Sequence, residues 1–568
     1  MKLLKTLLLA LCLPAYCMCG SAAGDGPFEY REIYLPDAHL NDTRQLALNN
    51  VDNDWGIWGH HLAVVLPKDC SQTVFAIVKG QRNDEQFCFS SDQLFDYIST
   101  YIDDTFGSDD TQRFAILPND NAMVCQCDRC KDLGNTEKNA SPAVFHMIER
   151  LAKRFPHHLF FTSYYLTTKD APQRRMPDNT GVLVSAMTYP LSAVATEQEH
   201  TFESLLKEWH RHIARVYVWD YINNFDDYFT PYPVFTIMQR RLQLYERAGV
   251  KGVFLNGSGQ DYSTFSRLKT EVLGRLLQDP HQDWQPLLRE QCEKLYPVTG
   301  STIADFIVAQ EVWVAEHHKT LPLYEGVAKA VDSYLPADLF LRFHDRLKDL
   351  LPQTKDDERK NADLMYRTMI MTRMELMRLA GTIDDGKSMI EQMLPVASSG
   401  VKVYSESCNF IEDYMREYGH MLLYAGKLKN NPLRGVTLVP MTPLDEDYSD
   451  ITMLTDGLTG LPSNYHCGQM LSSADPALKI AIPAVAGLRE LSVSLTRNPR
   501  YHIALPREVI LTAGQSEIGR AVPVPLADTP SRAVVTFRLP THLADTLLLT
   551  IVRNTDERTM AIDEIYGQ

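Results

Sequence analysis

Short apolar runs alternate with longer amphipathic segments through the first half of the chain. The apolar runs are 28–35, 61–67, 74–80, 114–120, 159–167, 182–190, 216–221 and 252–259. The segments between them have helical periodicity and predict helices over 92–103, 141–154, 201–212, 234–248 and 262–277. Strands that alternate with helices of this length predict parallel βα units, and their number favours an α/β fold of the (β/α)8 TIM-barrel type over 25–297.

The pattern changes after the predicted barrel. Residues 298–430 have long helical periodicity and predict an α-helical domain. The Met and aromatic stripe of 361–379 is typical of a helix core rather than of a cofactor site. Residues 431–443 are rich in turn residues and predict a linker. Many short alternating runs over 444–568 predict a C-terminal antiparallel β-sandwich.

The N-terminal segment 1–23 resembles an export signal. It has a basic start, an apolar run over 7–13 and small residues before Gly24. This predicts a periplasmic or secreted protein. A lipid-anchored form is the alternative, although Cys17 and Cys19 each follow a large residue. No later segment is long and apolar enough to predict a membrane span.

The formal net charge of −16 narrows the class of partner. Nucleic acid is bound by basic patches that neutralise phosphates, and the sequence has none, so we expect no nucleic-acid partner. A neutral or weakly charged ligand such as a glycan is compatible with this charge. The sequence does not predict the oligomeric state.

The stretch RVYVWDYINNFDDYFTPYP, residues 215–233, concentrates carboxylates, amides and aromatic rings after an apolar strand. Active sites of barrels lie at the C-terminal ends of the strands. Glycoside hydrolysis uses two carboxyl groups, and the candidates at strand ends are Asp220, Asp120 and Glu32. We expect Asp220 to be the acid, because flanking aromatic rings raise a carboxyl pKa. Asp120 or Glu32 would be the base or a substrate clamp; alternatively, Glu32 pairs with a cation and Asp120 caps a turn.

Aromatic, amide, imidazole and guanidinium groups near the predicted strand ends are candidates for sugar binding. They are Arg31, Trp58, His60, His61, Tyr164, Trp219, Tyr221, Asn223, Asn224 and Asn256. Asn256 ends the last predicted barrel strand, where barrel hydrolases often carry a glutamate. An amide does not transfer protons, so Asn256 either weakens the prediction of catalysis or shifts it to substrate-assisted chemistry.

Three cysteines fall within six residues, at Cys125, Cys127 and Cys130. They predict a structural metal site, such as zinc with an unidentified fourth ligand, or a disulfide between Cys127 and Cys130. A direct catalytic role is the third alternative. A second disulfide between Cys70 and Cys88 is a further expectation, since these residues flank a predicted strand and turn. No cofactor for catalysis is predicted.

Several segments carry a family resemblance. FEYREIY, WGIWGHHL, FAIVKGQR, PNDNAMVCQCDRC, VWDYINNF and GVKGVF follow one another over 28–297. In these segments the chain resembles the bacterial family of domain of unknown function 4838, whose members resemble alpha-glucuronidase-type glycoside hydrolases. LTDGLTG, LKIAIP and the closing DEIYG resemble a discoidin, or coagulation-factor type C, sandwich, although a Trp common after the turn is missing.

These observations lead to two functional hypotheses. The first is an exported glycoside hydrolase-like enzyme that acts on a complex or acidic glycan by carboxylate acid/base chemistry. The second is a non-catalytic glycan-binding protein with a degenerate barrel site. In both, the expected partner is an oligo- or polysaccharide.

Overall fold

The computed structural model describes residues 26–107, 110–540, 546–554 and 559–568. The predicted export signal over 1–23 lies outside the described residues. In the described part of the chain, no helix is sufficiently long and apolar to cross a bilayer.

Parallel strands form a curled sheet in the first half of the chain. The strands are Tyr30–Tyr34 (β1), Trp55–Ile57 (β2), Arg113–Ala115 (β3), Leu159–Tyr164 (β4), Thr180–Ser185 (β5), Arg215–Tyr221 (β6) and Gly252–Asn256 (β7). From β2 to β7 each strand pairs with the next along the chain, and β7 pairs with β1. Within the described residues no ladder joins β1 to β2, so a seven-stranded open barrel replaces the predicted eight-stranded one.

Two of the predicted barrel strands were wrong. The apolar run over 61–67 contains the 3-10 helix Leu62–Val65, in which Leu62 and Val65 are buried while the two residues between them are exposed. That i, i+3 spacing is the spacing of a helical turn. The run over 74–80 contains Phe75–Val78, which pairs antiparallel with Gln81–Phe87 in a separate hairpin.

Helices surround the sheet and continue into a helical region. Those of the first half are Val51–Asp54, Asp92–Thr105, Asp128–Leu133, Ser141–Arg154, Glu197–His212, Phe235–Arg247 and Ser266–Gln278. The later ones are Trp284–Leu295, Gly300–Glu316, Val327–Ser333, Ala337–Leu350, Asp356–Thr368, Ile370–Leu379, Gly386–Ser398 and Ile411–Lys427. Met365, Met369 and Met374 are buried, which confirms the stripe as helix core. One apolar cluster runs through both sets of helices.

Two antiparallel sheets follow. One contains Val439–Pro440, Ala477–Ile482, Leu547–Val552, Glu508–Ala513 and Ser516–Ala521, and the other contains Met470–Ser472, Met560–Gly567, Glu490–Thr496 and Arg532–Arg538. Apolar residues of both sheets, such as Leu478 and Val493, share one core. The antiparallel sheets predicted for the C-terminal part of the chain are therefore present.

The helical region contacts the barrel at the loop that follows β6. The Phe225 N–H donates to the Leu323 carbonyl at 2.7 Å, and the Glu406 N–H donates to the Phe225 carbonyl at 2.8 Å. A short antiparallel pair joins Thr320–Leu321 to Leu191–Ser192. These backbone contacts hold two loops of the helical region over the C-terminal ends of the barrel strands.

Candidate active site

A cavity of about 410 Å³ lies at the C-terminal ends of the barrel strands. It is lined by Gly59, His60, Leu117, Asp120, Ser163, Tyr165, Leu183, Ser185, Met187, Trp219, Tyr221, Asn256, Tyr324 and Glu406. All but the last two follow or belong to barrel strands. The cavity is therefore where the barrel rule places an active site.

The alternation of β6 decides which of its side chains reach the cavity. Successive side chains of a strand point to opposite faces of the sheet. Tyr217 packs in the barrel interior with Tyr30 and Phe161, and Trp219 and Tyr221 line the cavity on the same face. Asp220, between them, therefore points away from the cavity and toward the surrounding helices.

Asp220 was predicted to be the acid, and its position contradicts that prediction. Its side chain is fully buried, and Arg241 Nη1 lies 2.5 Å from Asp220 Oδ1. The Tyr245 hydroxyl donates to Asp220 Oδ2 at 2.5 Å. Both carboxylate oxygens are thus bound by buried partners, and Asp220 joins β6 to the helix Phe235–Arg247.

Glu32 and Arg31 are also absent from the cavity lining. Glu32 is fully buried; the Tyr30 hydroxyl donates to it at 2.9 Å, and His39 Nε2 lies 3.6 Å away. Arg31 is buried as well, and its guanidinium donates to the Ala47 carbonyl at 3.4 Å. The predicted role of Glu32 as base or substrate clamp and that of Arg31 in sugar binding therefore do not fit these positions.

Two predicted sugar-binding amides are already bound by protein groups. Asn223 Oδ1 accepts from the Lys269 ammonium at 2.6 Å. Asn224 Nδ2 donates to the Glu325 carbonyl at 2.9 Å and to the Tyr334 hydroxyl at 3.1 Å. These amides support the loop after β6 instead of facing a ligand.

Three predicted aromatic contacts also lie outside the lining. Trp58 and His61 pack edge to face, with ring centroids 4.8 Å apart. Tyr164 packs against Trp209, with ring centroids 6.2 Å apart. Its neighbour Tyr165, the residue after β4, lines the cavity instead.

The structure brings together Asp120, His60, Trp219, Tyr221 and Asn256, which were all predicted site residues. His60 Nδ1 lies 2.7 Å from the Pro118 carbonyl. A carbonyl only accepts, so Nδ1 carries the proton and Nε2 of the neutral ring is an acceptor. The Tyr221 hydroxyl lies 3.2 Å from Ser185 Oγ.

Asp120 is held in place by the hairpin. The Asn119 N–H donates to Gln86 Oε1 at 2.9 Å, and the side-chain amides of Asn119 and Asn121 each donate to the Glu85 carbonyl at 2.9 Å. The residues on both sides of Asp120 are therefore fixed, while Asp120 itself is exposed to the cavity.

Glu406 is a site residue that the sequence analysis missed. It lies in the loop between helices Gly386–Ser398 and Ile411–Lys427, and no periodicity marks it. The Tyr324 hydroxyl donates to Glu406 Oε2 at 3.4 Å. Glu406 is exposed to the cavity, yet desolvation by the surrounding groups raises its pKa above the ordinary value; the Tyr324 hydrogen bond opposes this, and the charges of Asp226 and Asp120 reinforce it.

The three predicted cysteines have a fourth neighbour, Cys88. The sulfur atoms of Cys88, Cys125, Cys127 and Cys130 all lie within 4.8 Å of one another. Cysteines in the described part of the chain are free thiols, so neither the Cys127–Cys130 disulfide nor the disulfide from Cys70 to Cys88 is formed.

Comparisons with known proteins point to one family. Residues 25–308 match the family model described as Domain of unknown function (DUF4838). No curated protein matches the sequence.

Solved structures give distant similarities. A family GH115 4-O-methyl-alpha-glucuronidase with specificity for decorated arabinogalactans is 10% identical over 95% of this chain and 81% of that chain, with a TM-score of 0.29. A GH138 enzyme targeting pectin rhamnogalacturonan II is 9% identical over 87% and 78%, with a TM-score of 0.26. A CBM32 module from a family 31 glycoside hydrolase of Clostridium perfringens is 13% identical over 24% and 99%, with a TM-score of 0.17.

Proposed function

We propose that this chain, which belongs to the family described as Domain of unknown function (DUF4838), is an exported glycoside hydrolase whose catalytic carboxyl groups are Asp120 and Glu406. The observation that carries the proposal is that these two side chains, from the barrel and from the helical region, line one cavity together with aromatic and amide groups. The family description states no reaction, so catalysis is inferred from the chemistry of this cavity.

Glu406 is the better candidate for the general acid. An acid has to hold its proton near neutral pH, and a raised pKa increases the protonated fraction. Desolvation by the groups around the cavity raises the pKa of Glu406, and the nearby charge of Asp120 adds to the effect. Asp120 then acts as the second carboxylate, which either activates water or attacks the sugar.

The remaining lining suits a pyranose ring. Trp219, Tyr165 and Tyr324 offer aromatic surface for the C–H face of a sugar. The Asn256 amide and His60 Nε2 offer hydrogen bonds to hydroxyl groups. A cavity of about 410 Å³ lies within the usual range for small-ligand sites.

The charge of the lining favours a neutral sugar over the acidic sugar suggested by the sequence analysis. Two carboxyl groups face the cavity, and no arginine or lysine is among the described residues that line it. A uronate carboxylate would be repelled by Asp120 without a cation to bind it. We therefore propose that the sugar in this cavity is uncharged, although neighbouring sugars of the same glycan can be acidic.

The test compares wild type with Asp120→Asn and Glu406→Gln on a panel of matched neutral and uronate-containing oligosaccharides. Each substitution keeps the shape of the side chain and removes its acid/base function, so we expect turnover to fall about 100- to 10,000-fold while oligosaccharide binding is kept. Glu412→Gln, an exposed site on the next helix, is the matched control and should keep full turnover. If the wild type binds these oligosaccharides but does not hydrolyse any of them, the hydrolase proposal is wrong and the chain is a non-catalytic glycan-binding protein.

Export is a separate part of the proposal and rests on the sequence of residues 1–23. Cell fractionation and N-terminal sequencing of the native protein test it. We expect a protein outside the cytoplasm whose first residue lies close to Gly24. A cytoplasmic protein that begins at Met1 would contradict export and leave the hydrolase proposal standing.

A further inference from the structure

Four cysteine sulfurs converge at a point away from the proposed active site. Cys88 follows the hairpin strand Gln81–Phe87, Cys125 lies in the segment after β3, and Cys127 and Cys130 lie at the start of helix Asp128–Leu133. Three of the four side chains are buried, and Cys127 is half-buried. A free cysteine packs as a small hydrophobe, but four sulfurs within 4.8 Å of one another are also the donor set of a tetrahedral metal site.

The distances between the sulfurs fit a tetrahedral metal. Cys88 Sγ lies 3.6 Å from Cys127 Sγ and 3.8 Å from Cys130 Sγ. Zinc–sulfur bonds of about 2.3 Å in a tetrahedron place sulfur atoms about 3.8 Å apart. A disulfide needs sulfurs about 2.05 Å apart, so the arrangement matches metal ligation far better than oxidation.

We propose that Cys88, Cys125, Cys127 and Cys130 bind one structural Zn²⁺ ion. Four thiolates complete a tetrahedral shell and leave no open position for a substrate, which is typical of structural rather than catalytic zinc. The ligands come from the residue that follows the hairpin, from the segment after β3 and from the next helix. The ion therefore joins three pieces of chain that do not belong to one sheet.

Groups around the sulfurs support this assignment. The Ile77 N–H donates to Cys125 Sγ at 3.3 Å. Ser90 Oγ lies 3.1 Å from Cys130 Sγ, 3.4 Å from Cys88 Sγ and 3.5 Å from Cys127 Sγ, so its hydroxyl can donate to a thiolate once the metal is bound. Donors of this kind orient ligands and reduce the charge that four thiolates concentrate on one ion.

An entry path for the ion is also present. Cys88 and Cys127 line a surface cavity of about 460 Å³, together with Ser90 and Arg129. The cluster therefore lies just beneath the surface, and the half-buried Cys127 is its outermost ligand. A metal can reach the thiols of the folded chain from this side.

The ion would also stiffen the loop that presents Asp120. The Gln126 N–H, between two ligands, donates to the Ile77 carbonyl at 2.7 Å, which ties the metal-binding segment to the hairpin. The same hairpin holds Asn119 and Asn121 through Gln86 and Glu85. Metal binding therefore fixes the base of the segment that carries Asp120.

The experiment measures metal content in the purified full-length chain by elemental analysis and native mass spectrometry. We expect about one zinc per chain in the wild type. Cys88→Ser and Cys130→Ser should lose at least ten-fold in zinc content after dialysis against a weak chelator. Cys70→Ser changes a cysteine of the same region that lies outside the cluster and should keep its zinc.

Measurements on the wild type keep the proposal testable where a cysteine variant does not fold. Chelator-stripped protein loaded with Co²⁺ should show the absorption of tetrahedral cobalt thiolate, which zinc then removes. In protein denatured in the presence of chelator, a thiol reagent should react with all four cluster cysteines. Iron in place of zinc, a metal-free protein, or a mass deficit from a disulfide among these cysteines would each overturn the zinc assignment.

Discussion

Asp220→Asn should destabilise the barrel and leave the chemistry of the cavity intact. In the wild type, Asp220 is fully buried, and its carboxylate binds Arg241 and the Tyr245 hydroxyl. The substitution keeps the size of the side chain and removes its charge. Arg241, with only 2% of its side chain exposed, is then left as a buried cation without the carboxylate that it contacts directly.

The magnitude follows from that burial. Removing one partner of a buried ion pair costs about 3–5 kcal/mol, because the remaining charge is desolvated without compensation. The amide oxygen that the substitution introduces still accepts one hydrogen bond, so we expect the lower end of this range, about 3 kcal/mol. Arg241 also donates to the carbonyls of Tyr189 and Pro190, at 2.8 and 3.0 Å, and these bonds limit the loss.

Urea unfolding followed by tryptophan fluorescence measures the loss, with turnover measured on the folded variant. Arg241→Met and the double variant complete a double-mutant cycle. We expect the double variant to lose about 1–3 kcal/mol less unfolding free energy than the two single variants lose together. An Asp220→Asn protein that unfolds like the wild type and yet loses turnover would refute the structural role and restore Asp220 as a catalytic residue.

Three further predictions test other parts of the molecule. Turnover should fall as pH rises through the raised pKa of Glu406, and Tyr324→Phe should move that limb of the kcat/KM profile to higher pH, because it removes the hydrogen bond that lowers this pKa. Burial, reinforced by Asp456 and Asp563, raises the pKa of Glu564 to about 10. The folded state then keeps a proton that the unfolded state releases above its pKa of about 4.3, so the free energy of unfolding should fall with rising pH between these values by up to about 1.4 kcal/mol per unit. Glu564→Gln should flatten this slope in urea unfolding at pH 5 to 9, and an unchanged slope would contradict it. Chelation of zinc should lower the melting temperature of the barrel by several degrees in calorimetry and leave the sandwich transition unchanged.

The parallel sheet could be predicted from local sequence because strands such as β5 and β6 are apolar runs of six or seven residues bounded by polar turns. The second strand was not, since Trp55–Ile57 has only three residues with a glycine in the middle and carries no periodic signal. The run over 61–67 was misinterpreted because an apolar 3-10 turn and a short strand have the same composition, and only burial at i and i+3 separates them.

The error at Asp220 had a signal that was available in the sequence. Once Trp219 and Tyr221 are assigned to the cavity, the period of two in a strand sends Asp220 to the opposite face. An aromatic–acid–aromatic triplet in a barrel strand therefore predicts a buried acid that faces the helices, and the partner to look for is a basic residue on the next helix. Arg241 is such a residue.

Glu406 had no such signal, and the reason bears on how the proposed site works. Glu406 lies far from the barrel along the chain. Backbone hydrogen bonds of the loop after β6 with Leu323 and Glu406 bring it to the cavity, and these bonds depend on how the helical region packs. The family model ends at residue 308, before both Tyr324 and Glu406. In the proposed site, the barrel thus supplies Asp120 and the groups proposed to bind sugar, whereas the second carboxyl group comes with the helical region. On this argument, catalysis in such chains depends on an acid in that loop, and a chain that keeps the barrel but lacks it should bind glycans without hydrolysing them.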